Sequence, residues 1–506
     1  MRHYSLKLLC LALTFLLWVY PAAVSKAYTD VRDLEAFLDG VMAIHLEQSR
    51  TPGAVIAVVN EGGILLAKGY GYANLEEGKK VTTDTLFRVG SISKLFVWTA
   101  VMQLQQEGLL DLDRDINAYL DFEIPSTLWD GTFAEPITLR HLMSHTAGFE
   151  DQNIGVFVLT EEQLKPLSDY LAEALPARVF PPGQISSYSN YGSSLAAYIV
   201  QRIAGMPFAD YVEKQIFAPL GITGSTFRQP VPDHLLPQLS AGYQPLDELY
   251  LLGDFELCQS YPAGSLSASA EDMATFMLAH LTEETYGLMH KQSFTHHPAL
   301  PGMAHGFFEM DINGQRIITH GGDTILFHSG LYLLPEEQVG IFMSFNGAQA
   351  SEVRSSVLQA FMDRYFPQDT KPLTPSGDLV QRAAQIRGSF HLSRSNFTDI
   401  EAILRLFSPI KISVDGDGYL VLQGAISSHR YIETDTGLFR SLDGQALLYP
   451  ARDSTGQVTH FYTDFPAVLL RTPWYATAEF TLLLAGLCLA VLVGAVIHWV
   501  RLLLRR

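Results

Sequence analysis

The sequence predicts an α/β (α+β) fold, in which an antiparallel sheet is flanked by helices and accompanied by an all-helical lobe. A small, mostly β domain and one C-terminal transmembrane helix are expected to follow. Three observations predict this arrangement. Strand-like segments frame a long helical stretch, short alternating runs follow a Pro-rich segment, and residues 480 to 500 contain no Asp, Glu, Lys or Arg.

Two strand-rich regions frame the first domain, which we expect to cover residues 28 to 366. Residues 51 to 76 form two apolar runs around a Glu-Gly-Gly turn, and Asn313-Gly314 marks a second hairpin much later in the chain. Between these regions a helix is expected to begin at Ser91, because apolar residues recur after it at helical spacing. Strands at both ends of a helical middle indicate one sheet with a helical lobe.

A smaller domain is expected beyond a linker. Residues 367 to 378 are rich in Pro and polar residues, which is typical of a linker. Residues 379 to 472 contain short runs of alternating polarity separated by Gly and Asp turns, with one helical stretch at residues 399 to 407. This pattern predicts a β-rich accessory domain, to which no chemistry is assigned.

Both ends of the chain suggest export and membrane attachment. Residues 1 to 27 combine a basic start, an apolar centre and small residues, which predicts a secretory signal peptide; an uncleaved anchor is the alternative. Residues 476 to 500 are expected to span a membrane, with the basic residues 501 to 506 in the cytoplasm; a buried core helix is the alternative. We therefore expect a single-pass cell-membrane protein whose domains are periplasmic or extracellular.

The composition makes several classes of function improbable. The 506 residues include 34 Lys plus Arg and 53 Asp plus Glu, a formal net charge of −19, so nucleic acid is not an expected partner. Outside the two terminal apolar segments the only cysteine is Cys258, which argues against a disulfide framework or a Cys-based metal site. His141 and His145 lack the Glu of the metalloprotease motif. We predict neither a metal nor a cofactor.

Ser91 and Lys94 form a Ser-x-x-Lys motif at the start of the predicted helix. Positions i and i+3 share one helix face, so the hydroxyl and the amine can touch. A serine becomes a nucleophile when a base takes its proton, and lysine is such a base when burial lowers its pKa. The alternative is an ordinary pair, with Ser91 as an N-cap and Lys94 as a solvated charge.

Two further motifs have the residue types of a catalytic site. Tyr188 and Asn190 form Tyr-x-Asn in a Gly/Pro/Ser-rich loop: a tyrosine beside a lysine ammonium can exist partly as phenolate and move protons, and asparagine can bind an amide. His320 to Gly322 form His-Gly-Gly at the end of a predicted strand, where glycine lets a ligand approach the backbone. Taken singly, each motif has an ordinary alternative. Tyr188 and Asn190 can be a packed tyrosine and a helix N-cap, and His-Gly-Gly can be a turn.

In this order and context, the three motifs resemble those of the serine β-lactamase and penicillin-binding-protein superfamily, and especially its class C β-lactamase-related serine hydrolases. The resemblance covers roughly residues 30 to 366. It includes the stretches "TPGAVIAVV", "ITLRHLMSHTAGF", "FAPLGITGSTF" and "AGSLSASAEDMATFM". It implies a β-lactamase/transpeptidase-like fold, with the active site between the sheet and the helical lobe.

The resemblance also implies a role for each motif residue. Ser91 would be the acylated nucleophile, and Lys94 and Tyr188 would pass its proton to the leaving group and later activate water. Asn190 would hold the substrate amide. The backbone N–H groups of Ser91 and Asp323 would form the oxyanion hole.

His320 and Gly322 would line the substrate, but His320 departs from the family pattern. Related lactamases and peptidases usually have a lysine there, which helps to hold a substrate carboxylate, and Gly321 replaces a hydroxyl residue. The resemblance therefore favours a membrane-anchored serine hydrolase that cleaves an ester, or a D-amino-acid type of peptide or amide without that carboxylate. A β-lactamase, a penicillin-binding D,D-peptidase and a non-catalytic sensor of cell-wall fragments are the alternatives.

Overall fold

A computed structural model describes most of the chain. The predicted signal peptide, residues 1 to 27, lies outside the described residues except for Ala27, and the predicted linker is described only in part. The described residues are 27–368, 373–375, 378–424, 427–434, 437–442, 444, 446–464 and 466–505.

Nine antiparallel strands form the main sheet, which joins the beginning and the end of the first domain. The predicted turn near Gly62 and the hairpin at Asn313-Gly314 are both present, and both Asn313 and Gly314 have a positive φ, as a tight hairpin requires. In spatial order the strands are Gln292–Phe294, Met303–Ala304, Phe308–Ile312, Gln315–Asp323, His328–Leu334, Val339–Phe345, Gly53–Asn60, Gly63–Asn74 and Lys79–Lys80.

Helices cover both faces of this sheet, and strand Gly53–Asn60 shows why. Its side chains alternate between two apolar cores, because successive residues of a strand point to opposite faces. Ala54, Ile56 and Val58 belong to one core, and Val55, Ala57 and Val59 to the other. The first core contains residues of helices Val31–Gln48 and Val353–Tyr365, and the second contains residues of helices Ser93–Gln106, Asn190–Ala204 and Ala270–Thr282.

The segment between the two parts of the sheet is largely helical, as predicted. Its longest helices, Ser93–Gln106 and Asn190–Ala204, pack against each other. Shorter helices complete this helical lobe: Leu139–Met143, Leu167–Glu173, Phe208–Val212, Ala218–Leu220 and Glu284–Gly287, with a π-helical turn at Glu213–Phe217.

The accessory region forms a closed antiparallel barrel of eight strands. The short helix Leu379–Ile386 was not predicted; its Leu379 and Ile386 are fully buried in the core of the barrel. The predicted helical stretch is present as the turns Ile400–Ile403 and Leu404–Phe407. The strands are Gly388–Leu392, Ile410–Val414, Leu420–Gln423, Ser428–Glu433, Phe439–Ser441, Leu447–Arg452, Val458–Thr463 and Val468–Arg471, and the last pairs with the first.

The C-terminal helix Ala478–Leu504 carries large apolar side chains that are exposed along its whole length. Its 27 residues exceed the roughly 20 that cross a bilayer as one helix. Among the described residues, it is the one helix long and apolar enough to span a membrane. The orientation of this helix in a membrane stays a prediction.

Candidate active site

The sequence predicted that the α-helix begins at Ser91. In the structure, Ser91 lies in a 3₁₀ turn, Gly90–Ile92, just before that helix. The α-helix begins at Ser93, and its N-cap, Ile92, makes no side-chain capping bond. The alternative of an ordinary pair, with Ser91 as an N-cap and Lys94 as a solvated charge, is therefore wrong, because Ser91 makes no capping bond and Lys94 is buried. Its hydroxyl is not used for capping and faces a cavity.

The end of strand Gln315–Asp323 packs tightly against this turn. A Cβ atom on Gly322 would lie 1.9 Å from the Val89 carbonyl oxygen, so only glycine fits there. Gly90 has a φ of +52°, and a Cβ atom on it would lie 2.7 Å from the Asp323 nitrogen. These two glycines allow the backbone of Asp323 to lie beside the Ser91 turn.

Lys94 makes three short contacts through its Nζ atom. Nζ lies 3.0 Å from Ser91 Oγ, 2.8 Å from Asn190 Oδ1 and 2.7 Å from the Ala263 carbonyl oxygen. A neutral amine has two N–H donors and one lone pair. Because an amide oxygen and a carbonyl oxygen accept the two N–H bonds, the lone pair is left to face the Ser91 hydroxyl.

The surroundings of Lys94 favour this neutral form. The residue is fully buried, and burial lowers the pKa of its amine well below the usual value. The positive charge of Arg394 lowers it further, while Asp151 acts in the opposite direction. The geometry and the charge of Lys94 are those of a general base for Ser91.

Tyr188 and Asn190 are placed by the start of helix Asn190–Ala204. The N-cap is Ser189, whose Oγ accepts a hydrogen bond from the Gly192 N–H at 2.9 Å. Because Ser189 caps the helix, the Asn190 side chain is free to bind Lys94, and the expected alternative of an Asn190 cap is wrong. Ser189 N–H also donates to His145 Nδ1 at 3.2 Å, and this bond holds the loop that carries Tyr188 against the helical lobe.

The Tyr188 hydroxyl is hydrogen-bonded to Ser91, and its ring lies 4.9 Å from Lys94 Nζ. Burial raises the pKa of this phenol well above its usual value, although Ser91 and Arg394 act against the rise. Tyr188 is therefore a neutral phenol at neutral pH. The expected partial phenolate is not supported, and proton donation is the role that fits.

His320 is fully buried, and the centre of its ring lies 4.6 Å from the centre of the Phe308 ring. Its Nδ1 donates to the Gly321 carbonyl oxygen at 2.6 Å. Burial lowers the pKa of His320 to about 3. Its Nε2 has no hydrogen-bond partner among the described residues. His320 is thus a neutral group at the site and supplies no positive charge for a substrate.

The strand that carries His320 offers a free edge next to the nucleophile. Its pairing with strand Phe308–Ile312 ends at Thr319, whereas its pairing with His328–Leu334 continues to Asp323. Residues 320 to 323 are therefore paired on one side only. An extended substrate can add to such an edge through backbone hydrogen bonds.

The predicted site residues line one cavity of about 540 Å³, with Lys94 directly behind Ser91. Ser91, Tyr188, Asn190, His320 and Asp323 all contribute to its wall, and Gly322 lies between the last two in the strand. A larger cavity of about 1480 Å³, between the sheet edge and the barrel, contains none of these residues.

Sequence reasoning missed two groups at this site. The Ala263 carbonyl that binds Lys94 belongs to the stretch "AGSLSASAEDMATFM", so the family resemblance offered a signal for it. Arg394, from the barrel region, also lines the cavity, and no local pattern marked it. His141 and His145 accept hydrogen bonds from the backbone N–H groups of Thr138 and Ser189, which gives both a structural role.

Solved structures with the same fold extend over most of the chain. The structure of an octameric penicillin-binding-protein homologue from Pyrococcus abyssi covers 87% of this chain and 100% of its own, at 20% identity and a TM-score of 0.55. A β-lactamase/D-alanine carboxypeptidase from Pseudomonas syringae covers 65% of this chain and 99% of its own, at 22% identity and a TM-score of 0.53. These likenesses establish the fold.

Sequence comparison identifies the family. Protein flp of Staphylococcus aureus strain N315 is 24% identical over 323 residues, or 62% of this chain; the aligned part spans 63% of that relative's length. The family model for beta-lactamase matches residues 34–360. The predicted superfamily is confirmed, while the class C-related branch stays a prediction. The chain belongs to the beta-lactamase family.

Proposed function

We propose that the protein is a membrane-anchored serine hydrolase that cleaves an ester, or a D-amino-acid type of peptide or amide, through an acyl-enzyme on Ser91. The observation that carries this proposal is the contact of 3.0 Å between Lys94 Nζ and Ser91 Oγ. The amine is buried, has a lowered pKa and uses two other oxygens as acceptors. It can therefore accept the serine proton.

In the acylation step, Lys94 takes the proton from Ser91 Oγ as that oxygen attacks the substrate carbonyl carbon. The carbonyl oxygen becomes negative and accepts hydrogen bonds from the backbone N–H groups of Ser91 and Asp323. The C–O or C–N bond then breaks. Tyr188 gives its proton to the leaving group and regains one from Lys94, so the amine is neutral again at the end of the step.

In the deacylation step, water replaces the leaving group. Lys94, neutral again after acylation, takes one proton from this water as the water oxygen attacks the acyl carbon, and the protonated amine then returns that proton to Ser91 Oγ as the ester bond breaks. Tyr188 stays protonated in this step and keeps its hydrogen bond to Ser91. Asn190 is proposed to hold the substrate amide by donating through its Nδ2, because its Oδ1 is already occupied by Lys94.

Two observations support the proposed substrate class. One structural neighbour is described as a β-lactamase/D-alanine carboxypeptidase, which makes D-amino-acid substrates a reasonable class for this cavity. The His320 side chain is neutral, with a pKa of about 3, so it cannot act as the usual lysine does toward a carboxylate. This difference favours esters and amides over β-lactams.

The proposed domain organisation places this chemistry outside the cell. The hydrolase domain would cover residues 28 to 366 and the barrel domain residues 379 to 472, joined by the linker at 367 to 378. The exposed apolar helix Ala478–Leu504 supports membrane attachment. The basic tail, residues 501 to 506, would lie in the cytoplasm.

The test is turnover by the detergent-solubilised full chain and its Ser91→Ala variant. The substrates are p-nitrophenyl acetate, D-alanine p-nitroanilide and a chromogenic cephalosporin. We expect the variant to lose about a thousandfold or more of the wild-type rate, and Ser168→Ala, on the surface of the helical lobe, to keep full activity. Turnover that persists in Ser91→Ala would contradict the proposal. Binding without turnover in the wild type would favour a sensor.

A further inference from the structure

A short helical segment of the barrel domain carries its large apolar residues on the outside. The turns Ile400–Ile403 and Leu404–Phe407 follow each other directly in the chain. Helices on the surface of a soluble protein turn their apolar face toward the core. Here four apolar side chains at the i, i+3, i+4 and i+7 spacing of one helix face are between 52% and 79% exposed: Ile400, Ile403, Leu404 and Phe407. These four residues form the outer apolar face.

The opposite side of this segment is polar and holds it in a fixed orientation. Glu401 is buried, and its two carboxylate oxygens accept hydrogen bonds from Asn153 N–H and Ile154 N–H, each at 3.0 Å. Asp399 Oδ1 accepts a hydrogen bond from Glu401 N–H at 2.7 Å at the start of the first turn. A buried carboxylate costs free energy unless it is hydrogen-bonded, and this one is. The outer apolar face is therefore exposed because the segment is anchored by its polar side.

The outer apolar face lies beside the helix that is long and apolar enough to cross a membrane. Its second turn packs against this C-terminal helix. Lys411 Nζ, in the strand that follows the segment, lies 2.6 Å from Glu479 Oε1 in the first turn of the C-terminal helix. Trp474 and Tyr475, just before that helix, are 71% and 60% exposed, and these residue types are enriched where a helix enters a bilayer. The face thus lies at the level of the expected membrane surface.

The same segment also contacts the rim of the catalytic cavity. Asn153, whose N–H binds Glu401, is one of the residues that line the cavity around Ser91. Ile154, the next residue, is 75% exposed and adds a further apolar side chain beside the segment. Whatever binds the outer apolar face is therefore held close to the entrance of the catalytic cavity.

We propose that the outer apolar face is a docking surface for the lipid bilayer, and that its four side chains are buried at the boundary between headgroups and acyl chains. Apolar side chains gain free energy by leaving water. The adjacent helix keeps the bilayer within reach, so docking is intramolecular and needs little affinity of its own. The inference goes beyond the chemistry at Ser91 and rests only on the proposed membrane attachment. Its consequence is that the rim of the catalytic cavity is held at the membrane surface.

The test measures the depth of single side chains in a membrane. The full chain is reconstituted into phosphatidylcholine vesicles with a fluorophore on Leu404→Cys or Phe407→Cys, and quenching is compared for lipids that carry spin labels at different depths. Cys10 and Cys488 are replaced by alanine in these variants, while Cys258 is buried and stays unlabelled. We expect both probes to lie about 5–10 Å into the boundary region.

Two controls separate docking from anchoring. Ile44→Cys places the probe on helix Val31–Gln48, behind the sheet, at a side chain that is 56% exposed where that of Leu404 is 53% exposed. This probe should not be quenched by any of the lipids. The native Cys488, labelled alone, is exposed within the C-terminal helix and should be quenched most by the deepest spin labels.

The outcomes distinguish the inference from the proposals on which the rest of the account depends. Quenching at Cys488 without quenching at either face position refutes the docking surface alone, and no quenching at any of the three refutes membrane attachment together with the inference. Face probes that become shielded only as the density of chains in the vesicles rises would assign the face to a second copy and overturn the inference. Ser91-dependent turnover in the same vesicles shows that the labelled chains are folded and tests the proposed function independently.

Discussion

The main sheet and the barrel are both antiparallel, yet they contribute to the site in different ways. The sheet is open, and one of its strands is left unpaired on one side at residues 320 to 323. The barrel is closed, because its first and last strands pair, and closure removes free edges. The sheet can therefore offer backbone groups to a substrate, whereas the barrel acts through a segment outside its strands, residues 393 to 398.

The two regions also differ in how their contacts are built. The sheet and its helices share large apolar cores. The barrel segment contacts the hydrolase domain through polar groups of Ser393 and Arg394, through the N–H groups that bind Glu150, and through one edge-to-face ring contact between Phe397 and Phe180. We infer that catalysis depends on the sheet and the helical lobe, while the barrel adjusts position and specificity.

The largest effect is expected within the hydrolase domain, at Lys94. Lys94→Met keeps the length of the side chain and removes the base, so kcat/KM should fall by about a thousandfold. The control is Lys80→Met, on the sheet surface over the ring of Tyr72, which should keep wild-type activity. A loss of less than about tenfold in Lys94→Met would mean that another group removes the serine proton.

The next largest effect is expected at Gly322, where the sheet meets the Ser91 turn. Gly322→Ala places a Cβ atom against the Val89 carbonyl oxygen, and the strand end must move. Such overpacking costs about 1–3 kcal/mol of stability, and a displacement of about 1 Å lowers kcat/KM by roughly a hundredfold. Gly416→Ala is the barrel control, because its Cβ atom meets open space. Equal behaviour of the two variants in kinetics and urea unfolding would refute this packing argument.

A smaller effect is expected where the barrel supports the Tyr188 loop. Ser393 Oγ donates to the Ser186 carbonyl oxygen and accepts from Val468 N–H, so Ser393→Ala leaves two buried groups unpaired. We expect a loss of about 1–3 kcal/mol in the free energy of unfolding and a several-fold decrease in kcat. Hydrogen exchange should quicken at the Tyr188 N–H, which donates to the Pro466 carbonyl oxygen.

The matched control for this variant is Ser395→Ala, whose hydroxyl donates to the Leu392 carbonyl oxygen and makes no other hydrogen bond to a described residue. It should leave both stability and exchange at Tyr188 unchanged. If Ser393→Ala destabilises the protein without changing exchange at Tyr188 or kcat, the barrel stabilises the fold but does not support the catalytic loop.

The smallest effect on activity is expected at His320. Its pKa in the folded protein is about 3, against about 6.5 in the unfolded chain, so it does not titrate between pH 5 and 8. His320→Asn should therefore leave the shape of the pH–rate profile unchanged in that range. An inflection near pH 6.5 that disappears in this variant would show that His320 changes its charge during catalysis.

The lowered pKa of His320 also makes the stability of the fold depend on pH. Below pH 6.5 the unfolded chain binds a proton at His320 and the folded chain does not, so acid favours unfolding. This group should cost about 1.4 kcal/mol of stability for each pH unit between about 6.5 and 3. In urea unfolding, the free energy of unfolding of His320→Asn should therefore decrease less steeply with falling pH than that of the wild type, by about 1.4 kcal/mol per pH unit in this range.

The elements that depend on local patterns were predictable from the sequence. An Asn-Gly pair favours a tight hairpin because both residues readily adopt a positive φ, and both do so at Asn313-Gly314. The long run without charged residues likewise predicts the apolar C-terminal helix. The motif residues Ser91, Lys94, Tyr188 and Asn190 were chosen for their chemistry, and the structure brings them together.

The elements that depend on distant contacts were not predictable. Arg394 and its partner Asp151 are 243 residues apart, and a single ion pair leaves no periodic signal in the sequence. Helix Leu379–Ile386 was missed because it is short and follows the Pro-rich linker, although Leu379 and Ile386 lie on one helical face. The exact start of the helix after Ser91 depends on the packing of Gly90 against Asp323, which the sequence alone does not show.

The most direct test of the central claim is the intact mass of the full chain during reaction with an activated acetyl ester. We predict that one acetyl group appears on the wild-type protein, decays with time and maps to Ser91, and that Ser91→Ala acquires none. An adduct that forms equally on Ser91→Ala, or that maps to another residue, would contradict an acyl-enzyme on Ser91.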